Sequence, residues 1–402
     1  MIAENVVGST REKPRRGTDA LRVAHVIADL GPGGAERMLV KLLCAIDHER
    51  FASEVYTLIS VRREWIPSEL DVLGIPVTSL RMGRGFPDPI ALMRLSGLLR
   101  KSRPHVVQTW MYHADVIGGL AATITRRAMP VVWNIRATNP QATFIRRRTR
   151  YLARACARMS GWLPRTIICC SVEARRVHAS LGYVDSKIRV IPNGFDVDCF
   201  RPSPHAQASV RAELGIPQWA WVIGMVARLD PHKDHQTFFE AARRLRERQP
   251  DVHFLLCGPG ISAADGQLRE WVEAAQLGAH CHLLGQREDI PRITAALDIA
   301  TLSSAEEGFP NVLGEAMACA VPCVATDVGD SARIIGDTGR LVPPRDPEGL
   351  AQAWCELIDG GRPFLQALGA KARRRTEEHF SIDRIAREYE DVYTTVARPA
   401  AR

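Results

Sequence analysis

The sequence predicts an α/β protein built from two doubly wound domains. Three observations carry this: β-rich runs alternate with segments of helical period, the alternation restarts once in mid-chain, and a proline- and glycine-rich stretch separates the two series. Length agrees, since 402 residues suit two domains that each bury a core.

In the first series the strand-like runs are 22–30, 54–60, 76–80, 105–110, 130–136, 166–171 and 188–194. In the second they are 221–229, 252–258, 281–285, 299–304, 322–327 and 339–343. Alternation with helices implies parallel strands, because a parallel crossover needs a covering helix. The break falls between Pro192 and Pro204, where IPNGFDVDCFRPSP has turn residues and no helical period. The expected division is a flexible tail over 1–20, a first domain over 21–195 and a second over 196–380. A last amphipathic helix over about 381–394, with Phe380, Ile382, Ile385, Tyr389 and Val392 apolar, returns to the first domain. Ligands of such folds bind beyond the carboxyl ends of the strands, so two facing domains would hold their site in the cleft between them.

Composition excludes several classes. Apolar content of 46% and charge of 24% are globular values, not those of a disordered or collagenous chain. No stretch reaches the ~20 apolar residues that cross a bilayer, and the first twenty residues lack a signal-peptide core. Ten cysteines are too sparse for a disulfide scaffold. Cys257, Cys281 and Cys323 fall inside strand-like runs, and Cys169 and Cys170 are adjacent, so a reducing cytoplasm is expected. The net charge of +8 is uneven: residues 141–176 hold nine arginines and one acid, Glu173, in a stretch with long-helix composition. That segment reads as a solvated helix face, a patch for an anionic membrane or a contact for a polyanionic substrate. Nucleic acid is not expected, because zinc-finger spacing and aromatic RNA signatures are absent and aromatics are only 6%.

After the first strand, Gly31-Pro32-Gly33-Gly34 leads into a helix with Ala35, Met38, Leu39, Leu42, Leu43 and Ile46 on one face. Glycines here let backbone approach a ligand, and the helix start offers N–H groups to an anion. A structural tight turn explains the motif equally well. The dinucleotide fingerprint fails: Glu36 stands at the third glycine position, and the nearby acid, Glu54, opens the second strand instead of ending it.

In the second half, Arg228 ends a strand and Lys233 starts a helix, five positions apart, so the two could clamp one diphosphate from two sides. As an isolated pair they read more readily as surface charges. His232 and His235 lack a third ligand nearby and read as solvent-exposed histidines, so no metal is assigned. The segment 299–327 runs from a buried strand through a polar loop into a helix starting near Pro310 or Asn311. Glu307 precedes that helix and Glu315 lies one turn inside it, so both carboxylates can face one ligand. The N–H groups of Asn311, Val312 and Leu313 are available to a phosphate, and Gly308 lets backbone approach. The bland reading is a helix-dipole charge plus one polar-face glutamate.

GPGGAE at 31–36, IPNGFD at 191–196, VARLDPHKD at 226–234 and EEGFPNVLGEAMACAVPCVATDVG at 306–329 together resemble glycosyltransferase family 4, over about 360 residues. That family is retaining, carries an E-x7-E motif and has the GT-B fold, two facing Rossmann-like domains with the site in the interdomain cleft. The resemblance implies transfer of a hexose from a UDP- or GDP-sugar to a glycan or lipid-linked acceptor in polysaccharide biosynthesis, with no metal and no cofactor beyond the donor. It implies that Arg228 and Lys233 bind the diphosphate, Glu307 the donor hexose and Glu315 the ribose, with Gly33 and Gly34 closing over the phosphates. The sequence departs from the family after the fifth strand, where Arg136 stands in place of a frequent histidine. His113, at a strand-to-helix junction, is a further candidate for sugar or acceptor contact, equally readable as a capping or packed histidine. Competing readings are a metal-dependent transferase using Asp196 and Asp198, an epimerase of the same fold, and a non-catalytic sugar-nucleotide or membrane-binding module. First-domain loops should choose the acceptor, with 141–176 the best hint of a membrane-facing surface.

Overall fold

A computed structural model describes residues 20–31, 33–60, 66–83, 88–125, 129–138, 140 and 147–398. The tail over 1–19, Pro32 and residues 141–146 of the arginine-rich segment lie outside the described residues.

The chain divides into two compact units. One contains the chain up to Cys170, Ala174–Ile191 and the segment from Ile385; the other contains Ser171–Glu173 and Pro192–Arg384. The division thus falls at Ile191 and Pro192, at the start of the expected break and slightly ahead of residue 195.

Among the described residues the first unit holds β1 (Leu21–Ile27), β2 (Phe51–Ile59), β3 (Val77–Met82), β4 (Val106–Trp110), β5 (Val131–Ile135), β6 (Thr166–Cys169) and β7 (Ile188–Val190). Its helices are α1 (Gly34–Ala45), α2 (Ser68–Val72), α3 (Pro89–Ser102), α4 (Met111–Ile124), α5 (Arg147–Met159) and α6 (Val172–Ser180). The second unit holds β8 (Trp221–Val226), β9 (Val252–Cys257), β10 (Cys281–Leu283), β11 (Ile299–Leu302), β12 (Cys323–Thr326) and β13 (Gly339–Val342). Its helices are α7 (Pro204–Leu214), α8 (His235–Arg248), α9 (Gly266–Ala274), α10 (Ile290–Ala295), α11 (Asn311–Ala318), α12 (Ser331–Ile335), α13 (Pro347–Asp359) and α14 (Gly361–Phe380). A final helix, α15 (Ile382–Ala397), runs into the first unit.

Every strand pairing is parallel, in the orders β3-β2-β1-β4-β5-β6-β7 and β10-β9-β8-β11-β12-β13. The strand order reverses direction between β1 and β4 in one sheet and between β8 and β11 in the other. Such switch points open a crevice at the carboxyl edge, because the two adjoining loops leave toward opposite faces. Burial on both faces explains the near-continuous apolar runs: β5 is fully buried along its length, as are β9 and β12.

Four expectations need correction. Residues 141–176 do not form one long helix: α5 ends at Met159, and Thr166–Cys169 leave for the sheet before α6 begins. Glu54 lies within β2, three residues past its start at Phe51, because the inward-facing period of Phe51, Ser53 and Val55 extends the strand upstream. Phe380 closes α14, while α15 presents Ile385, Tyr389, Val392, Tyr393 and Val396 as its buried face. Lys233 sits in a short 3-10 turn, Pro231–Lys233; the helix begins after Asp234, whose φ of 48° ends that turn.

The first unit buries polar groups under α15. The Asn134 amide donates to the Tyr389 hydroxyl at 3.0 Å, and the Trp110 indole N–H donates to His25 Nδ1 at 3.4 Å. Arg50 pairs with Glu390 at 3.2 Å, so the last helix is tied as well as packed. Among the described residues no helix is long and apolar enough to cross a membrane.

Candidate functional site

The strongest convergence of chemistry lies at the switch point of the second sheet. The loop after β8 supplies Arg228 to Lys233 and the loop after β11 supplies Ser303 to Glu307. A backbone bond from Ala305 N–H to the His232 carbonyl, 2.8 Å, joins them. The Lys233 ammonium pairs with Glu307 Oε1, and the Ser304 hydroxyl donates to the same oxygen at 2.7 Å. Both charged side chains are mostly buried, 19% and 12% exposed, so their attraction is little screened by solvent.

Glycines press these loops together. A Cβ at Gly329, which has a φ of 57°, would sit 2.6 Å from the carbonyl oxygens of Glu307 and Gly308. The Asp330 N–H donates to the Gly308 carbonyl at 2.9 Å. A Cβ at Gly258 would lie 2.2 Å from the Ala227 carbonyl oxygen, directly before Arg228. Only a residue without a side chain fits either place.

Arg228 is not drawn into the Lys233–Glu307 pair. It is 63% exposed and is held by Asp230 at 2.9 Å. Burial pushes the Asp230 carboxyl up, but the His232 N–H and the Arg228 guanidinium outweigh this and leave its pKa below the usual value. The histidines of this loop part company. His232 remains partly exposed, whereas His235 is 2% exposed, contrary to the expectation of an exposed ring, and burial followed by the Lys233 charge lowers its pKa to about 4.

Helix α11 begins at Asn311 with no side-chain cap among the described residues, and Glu315 lies one turn inside, as expected. Leu313 is a correction: its N–H donates to the Pro310 carbonyl at 3.3 Å, because the first turn closes on itself. The start of α11 is therefore presented by Asn311 and Val312. Asn193, read from the sequence as a turn residue only, donates through its amide to the Asn311 side chain at 2.8 Å and steadies that start. Sequence reasoning also misses Ser304 and Asp230, since one serine or aspartate in a polar loop carries no periodic signal.

In the first unit Gly33 stands at the N-cap of α1 and Gly34 is its first residue. A Cβ on Gly33 would lie 2.0 Å from Glu36 Oε2, so the Glu36 carboxylate folds back over the glycine turn. Space beyond Gly34 is open. His113 lies exposed in the first turn of α4. Arg136 is taken into the fold: its guanidinium lies over the Trp110 and Tyr389 rings at 5.8 and 5.7 Å and donates to the Ile191 carbonyl at 3.2 Å. Asp196 accepts from the N–H groups of Asp198 and Cys199 at 3.1 and 2.8 Å, which makes it the pivot of a turn. Among the described residues no cluster of three His, Cys, Asp or Glu side chains is placed to hold a metal.

Two parallel doubly wound units, each with its own switch point, are the architecture of the GT-B fold. Residues 32–199 match the family model described as Glycosyltransferase Family 4, and residues 220–360 match the one described as Glycosyl transferases group 1; between them the two span most of the chain. The chain belongs to glycosyltransferase family 4.

It is similar to the Escherichia coli UDP-Gal:alpha-D-GlcNAc-diphosphoundecaprenol alpha-1,3-galactosyltransferase, 27% identical over 312 residues, covering 76% of this chain and 79% of that one. With the D-inositol 3-phosphate glycosyltransferase of Corynebacterium jeikeium the identity is 38% over 182 residues, 42% of this chain and 43% of the relative, so that match spans less than half of its length. The crystal structure of Anabaena HepE in complex with UDP shares the fold, with a TM-score of 0.80 at 22% identity, covering 93% of this chain and all of that one.

Proposed function

We propose that this glycosyltransferase moves a hexose from a UDP- or GDP-sugar to a glycan or lipid-linked acceptor, with retention of anomeric configuration, in cell-surface polysaccharide biosynthesis. The observation that carries the reading is the Lys233–Glu307–Ser304 cluster at the second switch point, beside the uncapped start of α11. Cleavage of the sugar–phosphate bond leaves charge on a diphosphate oxygen. Lys233 and the exposed guanidinium of Arg228 neutralise that charge as it forms, and the N–H groups of Asn311 and Val312 add dipoles of the same sign. Because Lys233 and the helix start are held in place before reaction, little reorganisation opposes the step.

Glu307 accepts from hydroxyls of the hexose, Glu315 from the ribose, and Gly308 lets the backbone come close. Gly33 and Gly34 are assigned to the phosphates from the first unit, and His113 to the sugar or acceptor. Arg136 is assigned a supporting part on the acceptor side, through its hold on Trp110 and Tyr389. Charge neutralisation by side chains makes the reaction independent of metal and cofactor, so activity persists in chelator. Support for the nucleotide comes from HepE, solved with UDP and with UDP-glucose, and for the acceptor from the E. coli relative, named for a diphosphoundecaprenol-linked sugar.

A screen of melting temperature against UDP, GDP and ADP tests the donor, since a ligand at 100 times its Kd stabilises by about 2.7 kcal/mol. One diphosphate should raise it and the others not; no rise with any would refute the reading. NMR of the products then separates transfer from epimerisation, and binding without turnover across an acceptor panel would leave only a binding module.

A surface on α5 favours a membrane-facing role as well. Arg147, Tyr151, Arg154 and Arg158 recur at helical spacing on its exposed side, with Arg148 beside them; Tyr151 is 67% exposed and Trp162, just past the helix, 61%. Cations interleaved with exposed aromatic rings suit an anionic bilayer surface, where rings enter the headgroup layer and arginines meet phosphate.

A further inference from the structure

The loop after β11 starts with two adjacent serines, Ser303 and Ser304, both completely buried. Their hydroxyls serve different loops. Ser303 Oγ lies 3.0 Å from the carbonyl oxygens of both Lys233 and Asp234, on the turn that presents the Lys233 side chain. Asp234 holds a left-handed φ of 48°, which its own side chain supports by accepting from Thr237 N–H and Oγ1 at 3.2 and 2.7 Å, and Ser303 adds a brace to this turn from another loop. Ser304 Oγ donates at 2.7 Å to Glu307 Oε1, the oxygen that also takes the Lys233 ammonium. The Ser304 backbone is anchored in turn, because Thr326 Oγ1 donates to its carbonyl at 2.6 Å.

Two donors on one oxygen restrict the rotation of the Glu307 carboxylate. A buried serine satisfied only for packing would bond a nearby carbonyl, as Thr326 does. Ser304 instead donates its hydrogen bond to a carboxylate that still reaches solvent. We propose that the pair are positioning residues with separate duties: Ser304 sets the Glu307 carboxylate for hydroxyls of the donor sugar, and Ser303 sets the turn that carries Lys233 to the diphosphate. The inference rests on the donor-site reading above and adds a division of labour to it.

The division is tested by titration calorimetry on the full chain. Two probes are compared: whichever of UDP-glucose, UDP-galactose and GDP-mannose binds wild type most tightly, and the nucleoside diphosphate of that same sugar. Ser304→Ala should lower affinity for the nucleotide sugar about ten-fold while leaving the diphosphate within about two-fold, the loss of one hydrogen bond to a charged group. Ser304→Thr, which keeps the hydroxyl, should restore the ratio. Ser303→Ala should weaken both probes together, because Lys233 moves. If Ser304→Ala lowers the melting temperature but leaves the ratio of the two affinities at its wild-type value, the serine is structural and the inference falls alone. If wild-type protein binds none of the probes, the donor reading falls and takes this inference with it. Should Ser304→Ala fail to fold, Ser304→Cys is the substitute, and a wild-type ratio there overturns the proposal equally.

Discussion

Replacing Asp115 with asparagine should change how stability depends on pH by an amount the structure sets. Asp115 lies on α4 with no exposed surface; its Oδ1 accepts from Thr109 Oγ1 at 2.5 Å, and Oδ2 is buried and has no hydrogen-bond partner among the described residues. Burial raises its pKa to about 7, against the smaller opposing effect of the Thr109 bond. A raised pKa means that the folded chain keeps a proton the unfolded chain releases. Stability from this group is therefore complete below about pH 4 and is lost as pH climbs through 7. Three units at about 1.4 kcal/mol each give a penalty of roughly 4 kcal/mol above pH 8, of which roughly 1.5 is already present at pH 5.

The asparagine side chain has no proton to lose, so the variant should gain about 2 to 3 kcal/mol on wild type between pH 5 and pH 8. The difference is needed because His25 and His178, buried and lowered to about 3 and about 4, act oppositely. Each loses stability as pH falls from 6.5 toward those values. Both proteins share these histidines, which cancel in the comparison. Urea unfolding of Asp115→Asn and wild type at the two pH values is the assay. A difference that stays constant within about 0.5 kcal/mol from pH 5 to 8 would refute a neutral, buried Asp115.

Three further outcomes are expected. Gly314→Ala places a Cβ 2.0 Å from the Phe195 ring, which is fully buried and stacked on Phe309 at 6.1 Å; overpacking should cost about 1 to 3 kcal/mol in urea unfolding, and a neutral result would mean that α11 shifts freely. Lys233→Ala should weaken the stabilising nucleoside diphosphate by about ten-fold or more in calorimetry, since a fixed cation is lost, and unchanged affinity would remove Lys233 from the site. Reversing Arg147, Arg148, Arg154 and Arg158 to glutamate should abolish co-sedimentation with phosphatidylglycerol vesicles at low salt, and wild-type binding should fade as salt screens it. Wild-type protein that never sediments would sink the membrane-facing reading of α5.

The architecture is legible in the order of residues alone, because parallel strands covered on both faces need near-continuous apolar runs, and such runs mark the central strands of both sheets. The clusters of charge at 228–233 and 307–315 are legible too, since loops at strand ends carry polar residues in a recognisable order. Tertiary structure decides the rest, which depends on neighbours far along the chain. Lys233 meets Glu307 only because β8 and β11 are adjacent in the sheet, and Arg228 turns to Asp230 instead. Arg136, which stands where the resembled family often has a histidine, is held by Trp110 and by Tyr389 from α15, a helix that arrives from the opposite end of the chain. The glycine turn at Gly33 is legible in the sequence, but that a Cβ there would meet the Glu36 carboxylate, three residues on, is decided by how that side chain folds back. Periodicity reports which face of an element is buried; it carries no information about which loop a charge will meet, and that is set by strand order and closure of the fold.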